Sequence, residues 1–155
     1  MGLCARAAGQ GKQVLICQFL KDNSSGERAV LGADPHITFL KGPEEVRFSF
    51  QMSAQERQQA LRFYNGLLQQ ALERAAHGDC DVLFLDEALY AIRAGLLDEG
   101  PLAEFLRAKP AALEVILTGQ DPSEQLAALA DYISEICKRR HPYDHGIPAR
   151  RGIEF

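Results

Sequence analysis

Short apolar runs alternate along the chain with longer segments of helical spacing. The runs 14–20, 37–40, 82–85 and 114–118 are almost continuously apolar, as in strands that are buried on both faces of a parallel sheet. Another strand is predicted over 132–137. The alternation predicts an α/β domain with a mainly parallel sheet flanked by helices.

The helices are predicted from their caps and their spacing. The longest begins after Ser53, which forms an S-x-x-E capping box with Glu56, and it ends at Gly78. The other predicted helices are 1–8, 87–94, 101–108 and one whose N-cap is Asp121. The polar stretches 22–26 and 138–155 are predicted to be loops.

Composition narrows the classes of function. The length of 155 residues suits one domain, and the net charge of −4 argues against a nucleic-acid binder. No apolar run approaches the roughly 20 residues that span a bilayer, and no signal peptide is evident, so no membrane partner is expected. The four cysteines are scattered without a C-x-x-C pair, which predicts neither a zinc site nor a disulfide framework and favours a cytoplasmic protein.

Two carboxylates follow the predicted strand 82–85 directly. Asp86 and Glu87 therefore stand at the carboxyl end of a parallel strand, where α/β sheets bind ligands. Carboxylates there suit Mg²⁺ together with substrate phosphates, as in a Walker B element. The alternative is an apolar strand that ends in two solvated acids.

The usual partner of such an element, a G-x-x-x-x-G-K-[ST] phosphate loop, is not in the sequence. The segment G-Q-G-K at 9–12 follows a predicted helix instead of a strand. We interpret it as a helix stop and turn.

Several segments in one order carry a family resemblance. They are R-A-A-G at 6–9, Q-F-L-K at 18–21, L-D-E at 85–87, L-T-G at 117–119, A-D-Y-I-S-E at 130–135, H-P-Y-D at 141–144 and A-R-R-G-I-E at 149–154. The series resembles the P-loop-type ATP:corrinoid adenosyltransferases, also called cob(I)yrinic acid a,c-diamide adenosyltransferases, and it runs from Met1 to Phe155. The resemblance implies a P-loop NTPase-like (RecA-like) sheet.

The resemblance also implies a reaction and its participants. The family transfers the 5′-deoxyadenosyl group of ATP to a Co(I) corrinoid, cobalamin or cobyrinic acid a,c-diamide, and releases triphosphate in cobalamin biosynthesis or salvage. ATP and Mg²⁺ are the implied cofactors. A flavoprotein reductase is an implied partner, and a homodimer is compatible with the family.

Residue by residue, the resemblance makes Glu87 the Mg²⁺ ligand, with Asp86 beside it. It assigns Arg6 to the triphosphate and places Thr118 and Gly119 at the nucleotide. A solvated helix arginine is the alternative for Arg6.

The aromatic residues Phe48 and Phe50 lie where the family has an aromatic segment against the corrin. An apolar wall there would exclude a lower axial ligand and make Co(II) easier to reduce. The alternative is that both rings alternate along a strand and pack in the core.

The sequence departs from the family in two places. Gln120 stands where the family has an arginine, and glutamine cannot neutralise phosphate as arginine does. The phosphate loop and its leading strand would precede Met1, so 1–155 is expected to be a single, N-terminally truncated adenosyltransferase-like domain. Two explanations stay open: Met1 is an internal methionine of a longer reading frame, or the chain is truly truncated. In the second case, loss of a central strand would leave unpaired edges in the sheet. The alternative function is a catalytically inactive homologue that binds a corrinoid or a protein.

Overall fold

The computed structural model describes residues 1–47 and 49–153. Its strands are β1 (Val14–Gln18), β2 (Ile37–Phe39), β3 (Val82–Asp86) and β4 (Glu114–Leu117). Its helices are α1 (Gly2–Ala8), α2 (Gly26–Leu31), α3 (Ala54–Ala76), α4 (Ala88–Arg93), α5 (Glu99–Ala108) and α6 (Glu124–Ala127). Short 3₁₀ turns cover Ser49–Gln51 and Pro142–His145.

The strands form one parallel sheet in the order β2-β1-β3-β4. This confirms the predicted α/β fold of the P-loop NTPase-like kind. The expectation of unpaired edges in the middle of the sheet is wrong, because β1 and β3 are hydrogen-bonded to each other. Among the strands that the structure describes, the unpaired edges belong to β2 and β4.

Helices cover both faces of the sheet. On one face, Leu15 and Cys17 of β1 and Leu83 and Leu85 of β3 pack in a large core with residues of α3 and α5. On the other face, the side chains that alternate with these pack against Cys4 and other residues of α1. The central strands β1 and β3 are buried at every position, which accounts for their continuous apolar sequence.

The long helix α3 begins as predicted. The Ser53 hydroxyl accepts a hydrogen bond from the Glu56 backbone N–H at 3.3 Å, and the Glu56 carboxylate accepts one from the Ser53 N–H at 2.8 Å. These reciprocal bonds satisfy two donors that a helix start leaves unpaired. The capping box is therefore confirmed.

Three predicted elements differ in the structure. The segment 22–26 was expected to be a loop, but α2 begins at its last residue, Gly26. The N-cap of α6 is Ser123, whose hydroxyl accepts from the Leu126 N–H at 3.1 Å. Asp121 cannot be that cap, because its φ of 49° is left-handed instead of extended.

The predicted strand over 132–137 is also wrong. The segment has no strand partner in the described part of the chain, and a strand needs one to satisfy its backbone groups. Its residues are exposed, with Tyr132 at 94% and Ile136 at 97%.

No helix among the described residues is both long and apolar enough to cross a membrane.

Candidate functional site

The order of the strands locates a candidate site. The chain passes from β1 to β2 on one side and then crosses to β3 on the other, so β1 and β3 flank a topological switch point. Ligands of open α/β sheets bind at such a point, outside the carboxyl ends of the strands. Gln18 and Asp86 are paired in register at these two ends, and Thr118 directly follows β4 beside them.

Asp86 is the centre of a hydrogen-bonded cluster. Its Oδ2 accepts from Lys21 Nζ at 2.7 Å and from Gln18 Nε2 at 3.2 Å, and its Oδ1 accepts from the Thr118 hydroxyl at 3.0 Å. Burial alone would raise the pKa of Asp86, but the hydrogen bond and charge of Lys21, with the other two hydrogen bonds, outweigh it and lower the pKa. Asp86 is therefore a buried, ionised carboxylate.

A turn after β1 brings Lys21 to Asp86. Leu20 adopts a left-handed backbone with φ 56°, which is uncommon for a residue with a side chain. The turn is held by the buried Phe19, whose N–H donates to the Asp86 carbonyl at 2.9 Å and whose ring contacts Tyr64 at 5.9 Å between centroids. Lys21 thus folds back over the end of β3.

Two residues of α2 complete the cluster. Glu27 Oε1 accepts from Gln18 Nε2 at 3.0 Å and lies 3.4 Å from Lys21 Nζ. Arg28 donates from Nη1 to Gln18 Oε1 at 3.0 Å and stacks over the ring of Phe39, 4.5 Å from its centroid. Gln18 is 1% exposed, and these contacts give its buried amide the partners it needs.

Glu87 stands beside the cluster in a strained conformation. It is the N-cap of α4 with φ 60°, and its backbone N–H donates to the Thr118 hydroxyl at 3.0 Å. Among the residues that the structure describes, the non-glycine residues with positive φ are Leu20, Glu87 and Asp121. Each follows the carboxyl end of a strand, so backbone strain is concentrated at this edge of the sheet.

The chain at Gly119 passes very close to α4. A Cβ at this position would lie 2.6 Å from the backbone nitrogen of Tyr90 and 2.8 Å from Cβ of Leu89. The Leu89 N–H donates to the Thr118 carbonyl at 3.1 Å, which joins the start of α4 to the end of β4. Gly119 therefore fixes the position of the helix that follows Glu87.

The structure thus brings four of the predicted site residues together: Asp86, Glu87, Thr118 and Gly119. It does not bring Arg6 to them; this exposed residue of α1 forms no hydrogen bond or ion pair with the cluster among the described contacts.

Phe50 lies in the 3₁₀ turn before α3 and is 80% exposed, so it does not pack in the core. An open groove of about 340 Å³ runs beside this turn, lined by residues that include Pro43, Met52 and Phe63. Phe48 lies outside the described residues.

Sequence reasoning assigned no role to Lys21, Glu27 or Arg28. The feature of the sequence that points to these three residues is Gln18, a polar residue at the end of an otherwise apolar strand. A buried residue of this kind needs hydrogen-bond partners. Within residues 1–47 and 49–153, no group of three or more His, Cys, Asp or Glu side chains is arranged to hold a metal ion.

Comparison with known proteins identifies the family. The family model for the ATP:corrinoid adenosyltransferases BtuR/CobO/CobP matches residues 1–155. The corrinoid adenosyltransferase of Pseudomonas aeruginosa is 30% identical over 160 residues, which cover 99% of this chain and 75% of that protein. Those of Escherichia coli K12 and Salmonella typhimurium are each 30% identical over 156 residues, covering 99% of this chain and 76% of each relative. The chain belongs to the ATP:corrinoid adenosyltransferase family.

Proposed function

We propose that this protein transfers the 5′-deoxyadenosyl group of ATP to the Co(I) of a corrinoid, cobalamin or cobyrinic acid a,c-diamide, in cobalamin biosynthesis or salvage. The observation that carries the proposal is the polar cluster around Asp86 at the switch point of a sheet whose chain belongs to this family. The reduced corrinoid is supplied by a flavoprotein reductase. The four free cysteines favour the cytoplasm as its compartment.

The reaction needs no nucleophilic side chain. The corrinoid Co(I) attacks C5′ of ATP and supplies both electrons of the new cobalt–carbon bond. The C5′–oxygen bond breaks, and its electron pair leaves with triphosphate. The protein must hold the two substrates in line and balance the charge of the leaving group.

The donors at the switch point fit Mg²⁺. The ion prefers oxygen ligands and is usually held through one or two carboxylates, with water and substrate phosphates completing its shell. Asp86 and Glu87 would hold it. The Thr118 hydroxyl donates to the Asp86 carboxylate and accepts from the backbone N–H of Glu87, so it fixes the first side chain and the backbone of the second residue. Bound there, Mg²⁺ would neutralise charge on the triphosphate.

The remaining predicted residues act on the two substrates. Arg6 would contribute positive charge to the triphosphate. Gly119 lets the chain pass close to the start of α4, beside the proposed nucleotide site. Phe50 offers an exposed ring to the corrinoid, with Phe48 in the same segment. An aromatic surface against the cobalt would exclude water and an axial ligand.

A second function is favoured by one feature of the sequence. Gln120 stands where the family resemblance implies an arginine. Glutamine cannot neutralise a triphosphate as arginine does. The alternative is a catalytically inactive homologue that binds a corrinoid or a protein.

The test is adenosylation of Co(I) cobalamin by this chain with ATP and Mg²⁺ under strong reductant. Formation of the cobalt–carbon bond is followed by the change in the visible spectrum, with the Escherichia coli relative as the positive control. The variant Glu87→Gln keeps the size of the side chain and removes its charge. Glu104→Gln on the exposed surface of α5 is the matched control.

We expect turnover by the wild type and by Glu104→Gln, and loss of turnover in Glu87→Gln without loss of fold. Equal turnover by Glu87→Gln would overturn the metal role of Glu87. Corrinoid binding without turnover by a folded wild-type chain would favour the alternative function.

A further inference from the structure

Arg57 joins two parts of the molecule that are far apart in sequence. Its Nη1 donates to the Ser49 carbonyl at 3.0 Å, and its Nη2 donates to the Ala94 carbonyl at 2.5 Å. Ser49 belongs to the aromatic segment 47–50, and Ala94 is the C-cap of α4. One guanidinium in the second turn of α3 therefore holds both.

The contact with Ala94 suits the end of a helix. The last carbonyls of a helix have no partner within it, and the helix dipole favours a cation there. The chain turns away at Gly95, where φ is +67°. The Ala94 carbonyl thus remains free to accept from Arg57.

The other end of α4 is joined to the acidic side of the site. Glu87 is its N-cap, and the Leu89 N–H is bonded to the Thr118 carbonyl. Six helical residues separate these ends, a length of about 9 Å. Thus α4 connects the acidic residues to Arg57, and Arg57 connects α4 to the aromatic segment.

A second contact fixes the aromatic segment to α3. Arg47 Nη1 lies 2.5 Å from Glu56 Oε1, and Glu56 also closes the capping box. That ion pair is largely exposed, so it contributes little on its own. Arg57 is half-buried and makes the contact that reaches α4.

We propose that Arg57 is a positioning residue that sets Ser49 and Phe50, in the described part of the aromatic segment, at a fixed distance from Glu87. The inference rests on the proposed function, in which the segment contacts the corrinoid and Glu87 serves the nucleotide. The reaction requires cobalt and C5′ to meet in line, and a misplacement of about 1 Å can cost 10²-fold in rate. Arg57 touches neither substrate and acts through the two carbonyls.

The first measurement needs no activity. Hydrogen exchange is followed by mass spectrometry in peptides covering 44–52 and 88–96, without substrates, for the wild type, Arg57→Ala and Arg62→Ala. Arg62 is an exposed arginine of the same helix and serves as the matched control. We expect at least tenfold faster exchange in both peptides for Arg57→Ala and no change for Arg62→Ala. Unchanged exchange in Arg57→Ala would overturn the link.

The second measurement is steady-state adenosylation. We expect kcat to fall about 10²-fold in Arg57→Ala while KM for ATP stays within twofold, because the hydrogen bond between the Leu89 N–H and the Thr118 carbonyl still holds the start of α4 beside Glu87. Arg57→Lys can reach one carbonyl and should recover part of kcat. The double variant Arg57→Ala/Phe50→Ala should be no slower than Phe50→Ala alone, since both changes act on one segment.

The results separate this inference from the proposed function. Faster exchange in a chain without turnover supports the link made by Arg57 and counts against the function. Turnover that is unaffected by Arg57→Ala, or a full additive loss in the double variant, overturns the positioning role while the function stands.

Discussion

Two exposed glycines show how differently single residues depend on their surroundings. A Cβ at Gly119 would meet backbone atoms of α4, and its φ of +137° is unfavourable for other residues. A Cβ at Gly66, in the middle of α3, would meet nothing within 4 Å. One position requires glycine, and the other does not.

Gly119→Ala should therefore destabilise the fold by about 2 kcal/mol or more, because the start of α4 must shift. Gly66→Ala should stabilise it by about 1 kcal/mol, since alanine favours a helix. Urea unfolding of both variants tests the pair. Equal effects would show that the close approach of Gly119 to α4 is absent in solution.

Lys21 offers a second test at this scale. Lys21→Met leaves the buried Asp86 carboxylate without its cation, and we expect a loss of about 2 kcal/mol in the free energy of unfolding. Lys41→Met removes only an exposed pair with Glu44 at 3.6 Å and should change stability by less than about 0.5 kcal/mol. A Lys21→Met chain as stable as Lys41→Met would mean that the Lys21–Asp86 contact is not formed.

At the scale of single elements, the stability of α3 depends on the capping box at its N-terminus. The hydrogen bonds from Ser53, with the charge of Arg47, lower the pKa of Glu56. A lowered pKa contributes stability that is complete above the ordinary glutamate value of about 4.3 and is lost as the pH falls through the folded value. The same helix carries Arg57, so its start also supports the aromatic segment.

Glu56→Gln should accordingly melt at a lower temperature than the wild type at pH 7, and the difference should shrink as the pH falls below the ordinary glutamate pKa towards pH 3. Thermal unfolding across this range measures both chains. Glu104→Gln, an exposed change on α5, should match the wild type at pH 7. A difference for Glu56→Gln that persists undiminished at pH 3 would assign the effect to something other than the ionised carboxylate.

On the scale of the whole molecule, the buried residues of the core all lie in the part of the chain up to Leu126, well before the end of the described residues. Leu126 is buried, whereas residues 131–153 are exposed apart from the partly covered Pro142. β4 meanwhile has an open edge, and its Val115 and Leu117 are only partly buried. The sheet and its helices therefore form a unit that does not depend on the last segment.

Deletion of residues 131–155 should leave the unfolding free energy within about 0.5 kcal/mol of the wild type, since 131–153 are almost entirely exposed and exposed chain adds little to stability. A longer deletion from Asp121 onward removes the buried Leu126 and should destabilise the fold. Circular dichroism during urea unfolding distinguishes these outcomes. Loss of cooperative unfolding in the shorter deletion would show that 131–155 packs on the sheet in solution.

The sequence by itself determined the features that depend on near neighbours. Continuous apolar runs predicted β1 and β3, the S-x-x-E spacing predicted the start of α3, and the position of Asp86 and Glu87 after a buried strand predicted the acidic pair. Ordered segments spread over the chain indicated the family. The first three signals are each read over a few neighbouring residues, and the family is read from the order of short segments along the chain, so none of them required a tertiary contact.

Only the tertiary structure decided which distant residues meet. Lys21 reaches Asp86 across 65 positions, and Arg57 reaches Ala94 across 37. The segment 132–137 has strand-forming residues, yet it forms no strand because none of the strands that the structure describes pairs with it. Local residue spacing indicates which secondary structure a segment is able to form. The contacts of the folded chain decide whether the hydrogen-bonding groups and charges of that segment have partners.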